Sequence, residues 1–194
     1  MDIVFATNNR HKIEEVQRLL GNRYSIISPQ QLGFNGDIPE DQQTLRGNAI
    51  QKAEFINKKF NLPCFADDTG LEVEALNGDP GVYSARYAGE NKNSEDNIAK
   101  LLAELDGCNN RNARFVCVIA YIDELGNKNI FEGIVNGKIL DEKHGEKGFG
   151  YDAVFCPDGY NLSFAQMNID VKNKISHRGI AVNKFVQFIT ESTK

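Results

Sequence analysis

Nothing in this 194-residue chain approaches the ~20 consecutive apolar residues that a bilayer-crossing helix needs, so no membrane span is expected. The N-terminal run Met1–Ala6 has no basic segment ahead of it and turns polar at Thr7, which is not the pattern of a secretory leader. The four cysteines, Cys64, Cys108, Cys117 and Cys156, show no C-x-x-C spacing; Cys64 and Cys117 lie within apolar runs. They read as buried free thiols in a reducing cytoplasm rather than metal ligands or disulfide partners. There is no basic excess either. Twenty-two Lys and Arg against 27 Asp and Glu give a net charge of −5. That excludes a sequence-independent nucleic-acid coat and disfavours an RNA-binding module, while leaving room for a local basic pocket. The G-x-x-x-x-G-K-[ST] phosphate loop, internal repeats, low-complexity tracts and long linkers are all missing.

What is present is an ordinary globular composition, 41% hydrophobic and 25% charged, over a length that suits a single domain spanning 1–194, with room for two lobes. Ile3–Ala6 predicts a strand that runs through Thr7-Asn8-Asn9 into a helix with Ile13, Val16, Leu19 and Leu20 on one face, ending at Gly21-Asn22. Tyr24–Ser28 predicts a second strand and residues 33–43 a Gly-, Pro- and acid-rich loop. Thr44 predicts the cap of a helix striped by Leu45, Ala49, Ala53 and Ile56; beside the stripe, Asn48 and Lys52 are one turn apart and can reach the same place. Leu62–Ala66 reads as a buried strand, Asp67-Asp68-Thr69-Gly70 as a turn and Leu71–Leu76 as a half-exposed strand. A helix follows Ser94 with Glu95-Asp96 in its first turn and ends at Gly107, and Ala113–Ile122 is apolar enough for a central strand. Asp123–Asn127 turns the chain into Ile130–Val135, with a hairpin signal at Asn136-Gly137. A Gly-rich loop (145–152), a short strand at Val154-Phe155 and a final helix capped by Ser176 complete the reading: a mixed-sheet α/β protein with two lobes and a cleft.

Two helix starts break the usual charge rule. Lys12, beside Arg10 and His11, and His177 with Arg178 occupy first turns, where unpaired backbone N–H groups already carry positive partial charge. An anion held between the two helix ends would remove the conflict. Thr7-Asn8-Asn9-Arg10-His11-Lys12 offers backbone N–H groups and short polar side chains to a phosphate, or equally a plain N-cap with surface cations. Asp67-Asp68 offers two carboxylates on opposite sides of a strand, one for a turn and one for a hard divalent cation such as Mg²⁺; Asp67 alone is as readily an Asx-turn. Glu40 is a second candidate oxygen ligand or a solvated loop acid. Gly148-Phe149-Gly150-Tyr151-Asp152 fits a base-stacking loop or a turn whose aromatics plug the core. Lys172 and Ser176-His177-Arg178 form a last cationic group able to hold phosphate or a ring carbonyl.

Taken in order, the motifs resemble the non-canonical purine NTP pyrophosphatases, the inosine/xanthosine triphosphate pyrophosphatase family. The matching stretches are Ala6-Thr7-Asn8-Asn9 with Lys12, Asn48-Ala49 with Lys52, Ala66–Leu71, Pro80–Tyr87, Gly148–Asp152 and Ser176-His177-Arg178. Each is weak alone; in register from residue 3 to about 189 they are highly specific. Three departures stand out: Asn8 where Gly is common, Thr69 where Ser is common, and Ile38-Pro39-Glu40-Asp41 in place of a paired glutamate run, which leaves Glu40 and Asp41 as competing ligands.

The resemblance implies an elongated mixed β-sheet flanked by helices, two lobes around a central nucleotide-binding cleft, and a cytoplasmic homodimer. It implies Mg²⁺-dependent cleavage of ITP, dITP or XTP to the monophosphate and pyrophosphate, clearing such nucleotides from the pool. Asp68 would be proton acceptor and metal ligand, Glu40 the second ligand, and Lys52 a partner in catalysis. Thr7, Asn8, Asn9, Arg10, His11, Lys12, Lys52 and Lys172 would hold the triphosphate. Thr69, Phe149, Gly150, Tyr151, Asp152, His177 and Arg178 would complete the nucleotide site. The alternatives are a pyrophosphatase for modified pyrimidine or methylated nucleotides and a non-catalytic nucleotide sensor. The expected partner is the nucleoside triphosphate, without nucleic acid or membrane.

Overall fold

The computed structural model describes residues 2–21 and 24–191. Among the described residues, six strands form one mixed sheet in the order β2-β1-β3-β4-β5-β6. These are β1 (Asp2–Phe5), β2 (Ser25–Ile27), β3 (Cys64–Val73), β4 (Asn112–Ile122), β5 (Lys128–Ile139) and β6 (Phe155–Pro157). The α-helices among the described residues are α1 (Arg10–Leu20), α2 (Leu45–Phe60), α3 (Ser94–Glu104), α4 (Ile169–Ile175) and α5 (His177–Glu191). β1 pairs parallel with both β2 and β3, and β5 pairs antiparallel with β6. The mixed-sheet α/β expectation holds. No helix among the described residues is long and apolar enough to cross a membrane.

The chain divides into two compact units, the first Met1–Asp68, Cys117–Gly133 and Arg178–Lys194, the second Thr69–Val116 and Ile134–His177. The core of the first unit gathers Ile3, Phe5, Val16, Phe65, Ile119 and Phe185, with Phe5 stacked on Phe65 at 4.4 Å. That of the second gathers Leu71, Val73, Leu101, Phe115, Phe155 and Phe164.

Local chemistry sets most boundaries. Asn9 caps α1, its side-chain oxygen accepting the Lys12 backbone N–H, and Thr44 caps α2 by accepting the Gly47 N–H. All four residues of the predicted α2 stripe are buried. The end of α1 is seen at Gly21; the expected stop at Asn22 lies outside the described residues. Asn93, not Ser94, caps α3 by accepting from Glu95 and Asp96 N–H. The short 3-10 turns at Pro29–Leu32 and Gly81–Arg86, and helix α4, carry too few periodic apolar residues to be read from sequence.

Two predicted breaks are corrected. Asp67-Asp68-Thr69-Gly70 is not a turn: β3 runs unbroken from Cys64 to Val73 with the acids at its middle. Both carboxylates meet cations or amide donors, so burying them in a strand leaves neither unpaired. Nor does Asn136-Gly137 turn a hairpin, since β5 continues to Ile139. Glycine is needed there because a Cβ would collide with the Cys156 carbonyl of β6, so it marks a close strand approach.

Candidate active site

Adjacent residues of a strand point to opposite faces, so Asp67 and Asp68 share a backbone but take different hydrogen-bond partners. Asp67 is 1% exposed. Its Oδ1 accepts from Lys12 Nζ at 2.9 Å and its Oδ2 from Arg178 Nε at 3.2 Å. Arg178 also donates from Nη1 to Glu15, one turn beyond Lys12 on α1 and itself buried. Two acids and two cations are thereby neutralised together. Burial pushes the Asp67 carboxyl up, but the charges of Lys12, Arg178 and Lys52 outweigh it and hold it well below the usual carboxylate range. The two helix-start cations do converge on one anion, and that anion is the protein's own Asp67.

Asp68 faces α2. Lys52 Nζ donates to its Oδ1 at 2.8 Å and Asn48 Nδ2 to its Oδ2 at 3.2 Å. The same ammonium reaches Glu40 Oε2 at 3.1 Å. Burial pulls the Lys52 ammonium down, but Asp68, Glu40 and Asp67 outweigh it and raise its pKa, keeping it charged at neutral pH. Asp68 and Glu40 thus share one ammonium. The Glu40 side chain is 32% exposed and that of Asp68 11%, so both retain accessible surface. Asp41 is engaged elsewhere: its carboxylate accepts from Gln51 and Gln42, which lower its pKa. Of the two competing loop acids, Glu40 is the one that shares the Lys52 ammonium with Asp68.

Around the start of α1, Asn8, Asn9, Arg10 and His11 are exposed and Thr7 is half-buried. Thr7 Oγ1 accepts the Asn9 N–H, and Asn8 Nδ2 donates to the Gly36 carbonyl.

The remaining predicted residues lie in the second unit. Asp152 Oδ2 accepts the Phe149 N–H at 2.9 Å and Lys172 Nζ at 2.8 Å, so Asp152 orders its own loop. Lys172 Nζ lies 5.5 Å from the Phe149 ring centre. Tyr151 is buried and donates to the Ser84 carbonyl, a core role. His177 is buried and stacks on Phe115 at 4.5 Å. Thr69 is half-buried on β3. Gly148 has φ +79°, and a Cβ there would run into the clamped Asp152 carboxylate. Gly148→Ala is expected to lower the unfolding free energy by about 1–3 kcal/mol, read by urea denaturation.

Sequence reasoning missed Glu15. The available signal was an acid next to Val16 on the core-facing side of α1, where an exposed residue would not be placed.

A model of the Ham1 family matches residues 3–188. A dITP/XTP pyrophosphatase of Porphyromonas gingivalis is 51% identical over 188 residues, 96% of each chain. A protein of the same name from Flavobacterium psychrophilum is 50% identical over 189 residues, covering 97% of this chain and 98% of that one. The solved structure of the Staphylococcus aureus Ham1 protein superposes with a TM-score of 0.90 at 43% identity, covering 100% of both chains. Together with the motif order, these matches establish that the chain belongs to the Ham1 family.

Proposed function

We propose that this protein is a dITP/XTP pyrophosphatase, hydrolysing dITP, XTP and ITP to the nucleoside monophosphate and pyrophosphate and so clearing them from the nucleotide pool. The observation that carries the reading is the Asp68–Lys52–Glu40 cluster, two partly accessible carboxylates sharing one ammonium. The names of the 48–51% identical relatives support the same substrate class.

Mg²⁺ binds through one or two carboxylates plus substrate phosphates rather than an all-protein cage. Asp68 and Glu40 fit that donor set, and the described residues contain no cluster of three or more His, Cys, Asp or Glu to suggest a closed protein site. Asp68 and Glu40 would hold the ion. When bound, it would supply Lewis-acid neutralisation of the polyphosphate.

The chain's own groups account for the rest. Asp68 orients a water and takes its proton as the water oxygen bonds to the α-phosphorus; the α–β bridging bond breaks and pyrophosphate leaves. Lys52 orients Asp68 through its 2.8 Å hydrogen bond and offsets phosphate charge, and Lys12, itself paired with Asp67, completes the phosphate-holding set with Lys172 and the polar groups of residues 7–11. Positioning and fixed charge carry most of the acceleration. Thr69, Phe149, Gly150, Tyr151, Asp152, His177 and Arg178 carry the nucleoside part of the reading. We place the protein in the cytoplasm as a homodimer, on the strength of the family resemblance and the free cysteines.

The test is pyrophosphate release from ITP, XTP, dITP, ATP, GTP and CTP with and without Mg²⁺. Preferential, Mg²⁺-dependent release from the 6-oxo purines other than GTP is expected. Preference for CTP, or binding without release, would overturn the reading. Selectivity needs donors that a 6-amino group would leave unpaired. His177→Phe keeps the stack on Phe115 and removes the ring donors, whereas any change at Arg178 also unbalances Asp67. The ITP-to-ATP ratio of kcat/KM is expected to fall by at least about tenfold in His177→Phe.

A further inference from the structure

We propose that Asn48 is a positioning residue that locks the orientation of the Asp68 carboxylate and latches the Glu40 loop onto α2. Asn48 is 2% exposed, and both ends of its amide are used. Nδ2 donates to Asp68 Oδ2 at 3.2 Å, and Oδ1 accepts the Gln42 backbone N–H at 2.8 Å. It therefore joins a strand acid to a loop backbone through a neutral group.

The loop is fastened to α2 residue by residue. Glu40 is held by Lys52, the Asp41 backbone and carboxylate by Gln51, and the Gln42 backbone by Asn48. Gly47 lets the loop come this close: a Cβ there would stand 2.8 Å from Gln42 Cβ. Glycine inside a helix costs about 1 kcal/mol against alanine, a cost offset here by the close approach. Lys52 alone would leave the Asp68 carboxylate free to turn about its terminal torsion, and without Asn48 the Gln42 backbone would lose its tie to α2. The second donor, on the other carboxylate oxygen, fixes the carboxylate plane. The Gln42 bond adds a third consecutive attachment of the loop to α2, from the same side chain that holds Asp68. A neutral amide contributes no charge to the polyphosphate, so its effect is geometric.

The kinetic half of this inference rests on the proposed pyrophosphatase activity; the loop half does not. Asn48→Leu retains side-chain volume without either hydrogen bond, and Asn48→Ala serves as the second variant. In the protein without nucleotide or metal, exchange of the Gln42 amide, followed by NMR, is expected to accelerate by about tenfold while the core amides of β3 are unchanged. In dITP hydrolysis kcat is expected to fall about 10–100-fold and half-saturating Mg²⁺ to rise severalfold, with KM for dITP within about threefold of wild type. Unchanged Gln42 exchange overturns the latch. Unchanged kcat per folded molecule, or a loss confined to the melting temperature, overturns the positioning role. A wild-type protein inactive on dITP, XTP and ITP would refute the proposed function instead, and the exchange measurement would still decide whether Asn48 holds the loop.

Discussion

Asp68→Asn is expected to lower dITP turnover by about 10²–10⁴-fold while leaving nucleotide binding within a few-fold of wild type. The substitution is nearly isosteric, so the Lys52 ammonium keeps an oxygen to donate to. It removes the group proposed to take the proton from water and one of the two carboxylates proposed to hold Mg²⁺. It also sets the new amide nitrogen against Asn48 Nδ2, two donors face to face, so the side chain loses its fixed orientation as well as its charge. Affinity should survive because the other cations around the phosphates are untouched. Single-turnover kinetics and equilibrium titration with dITP separate the two effects. Near-normal turnover in this variant would remove Asp68 from the mechanism.

The acid one residue earlier should behave in the opposite way, with its main effect on stability. Asp67→Asn leaves Lys12 and Arg178 facing a neutral amide in the interior, with Glu15 as the remaining acid of the cluster. Breaking a buried, hydrogen-bonded ion pair from one side costs about 3–5 kcal/mol. For a chain of this size each kcal/mol moves the melting temperature by about 2–4 °C, so a fall on the order of 10 °C is expected.

The pH dependence gives the same prediction a second handle. The Asp67 carboxyl titrates lower in the folded protein than its ordinary value of 3.8. Its contribution is therefore complete above that unfolded value and is lost as the pH falls below it toward the depressed folded value. The stability difference between wild type and Asp67→Asn should be flat from pH 8 to about 5 and shrink below about 4. A difference that grows on acidification would show that Asp67 is not the ionised anchor described here.

These opposite outcomes explain why the site was only partly legible beforehand. Asp67-Asp68 was visible as a pair, and so was the clash of Lys12 and Arg178 with their helix dipoles. The reading of a turn failed because isolated acids are poor strand residues by propensity. In β3 their partners override propensity, Lys12 and Arg178 on one face and Lys52 and Asn48 on the other. Asn136-Gly137 failed likewise: a turn dipeptide proved to be a strand position whose glycine accommodates a neighbouring backbone. By contrast, the α2 stripe, the caps at Asn9 and Thr44 and the central place of β4 follow from periodicity and capping within a few residues, and the structure has them.

By itself the sequence determined the family, the α/β class and which side chains were available, because motif order and apolar periodicity are properties of neighbouring residues. Only the tertiary structure decided which of two adjacent carboxylates is a fully buried counter-ion and which keeps some accessible surface. Asp67 takes its partners from positions 12 and 178, and Asp68 from 48 and 52. Charge pairing and desolvation act through space, over separations that no local pattern encodes.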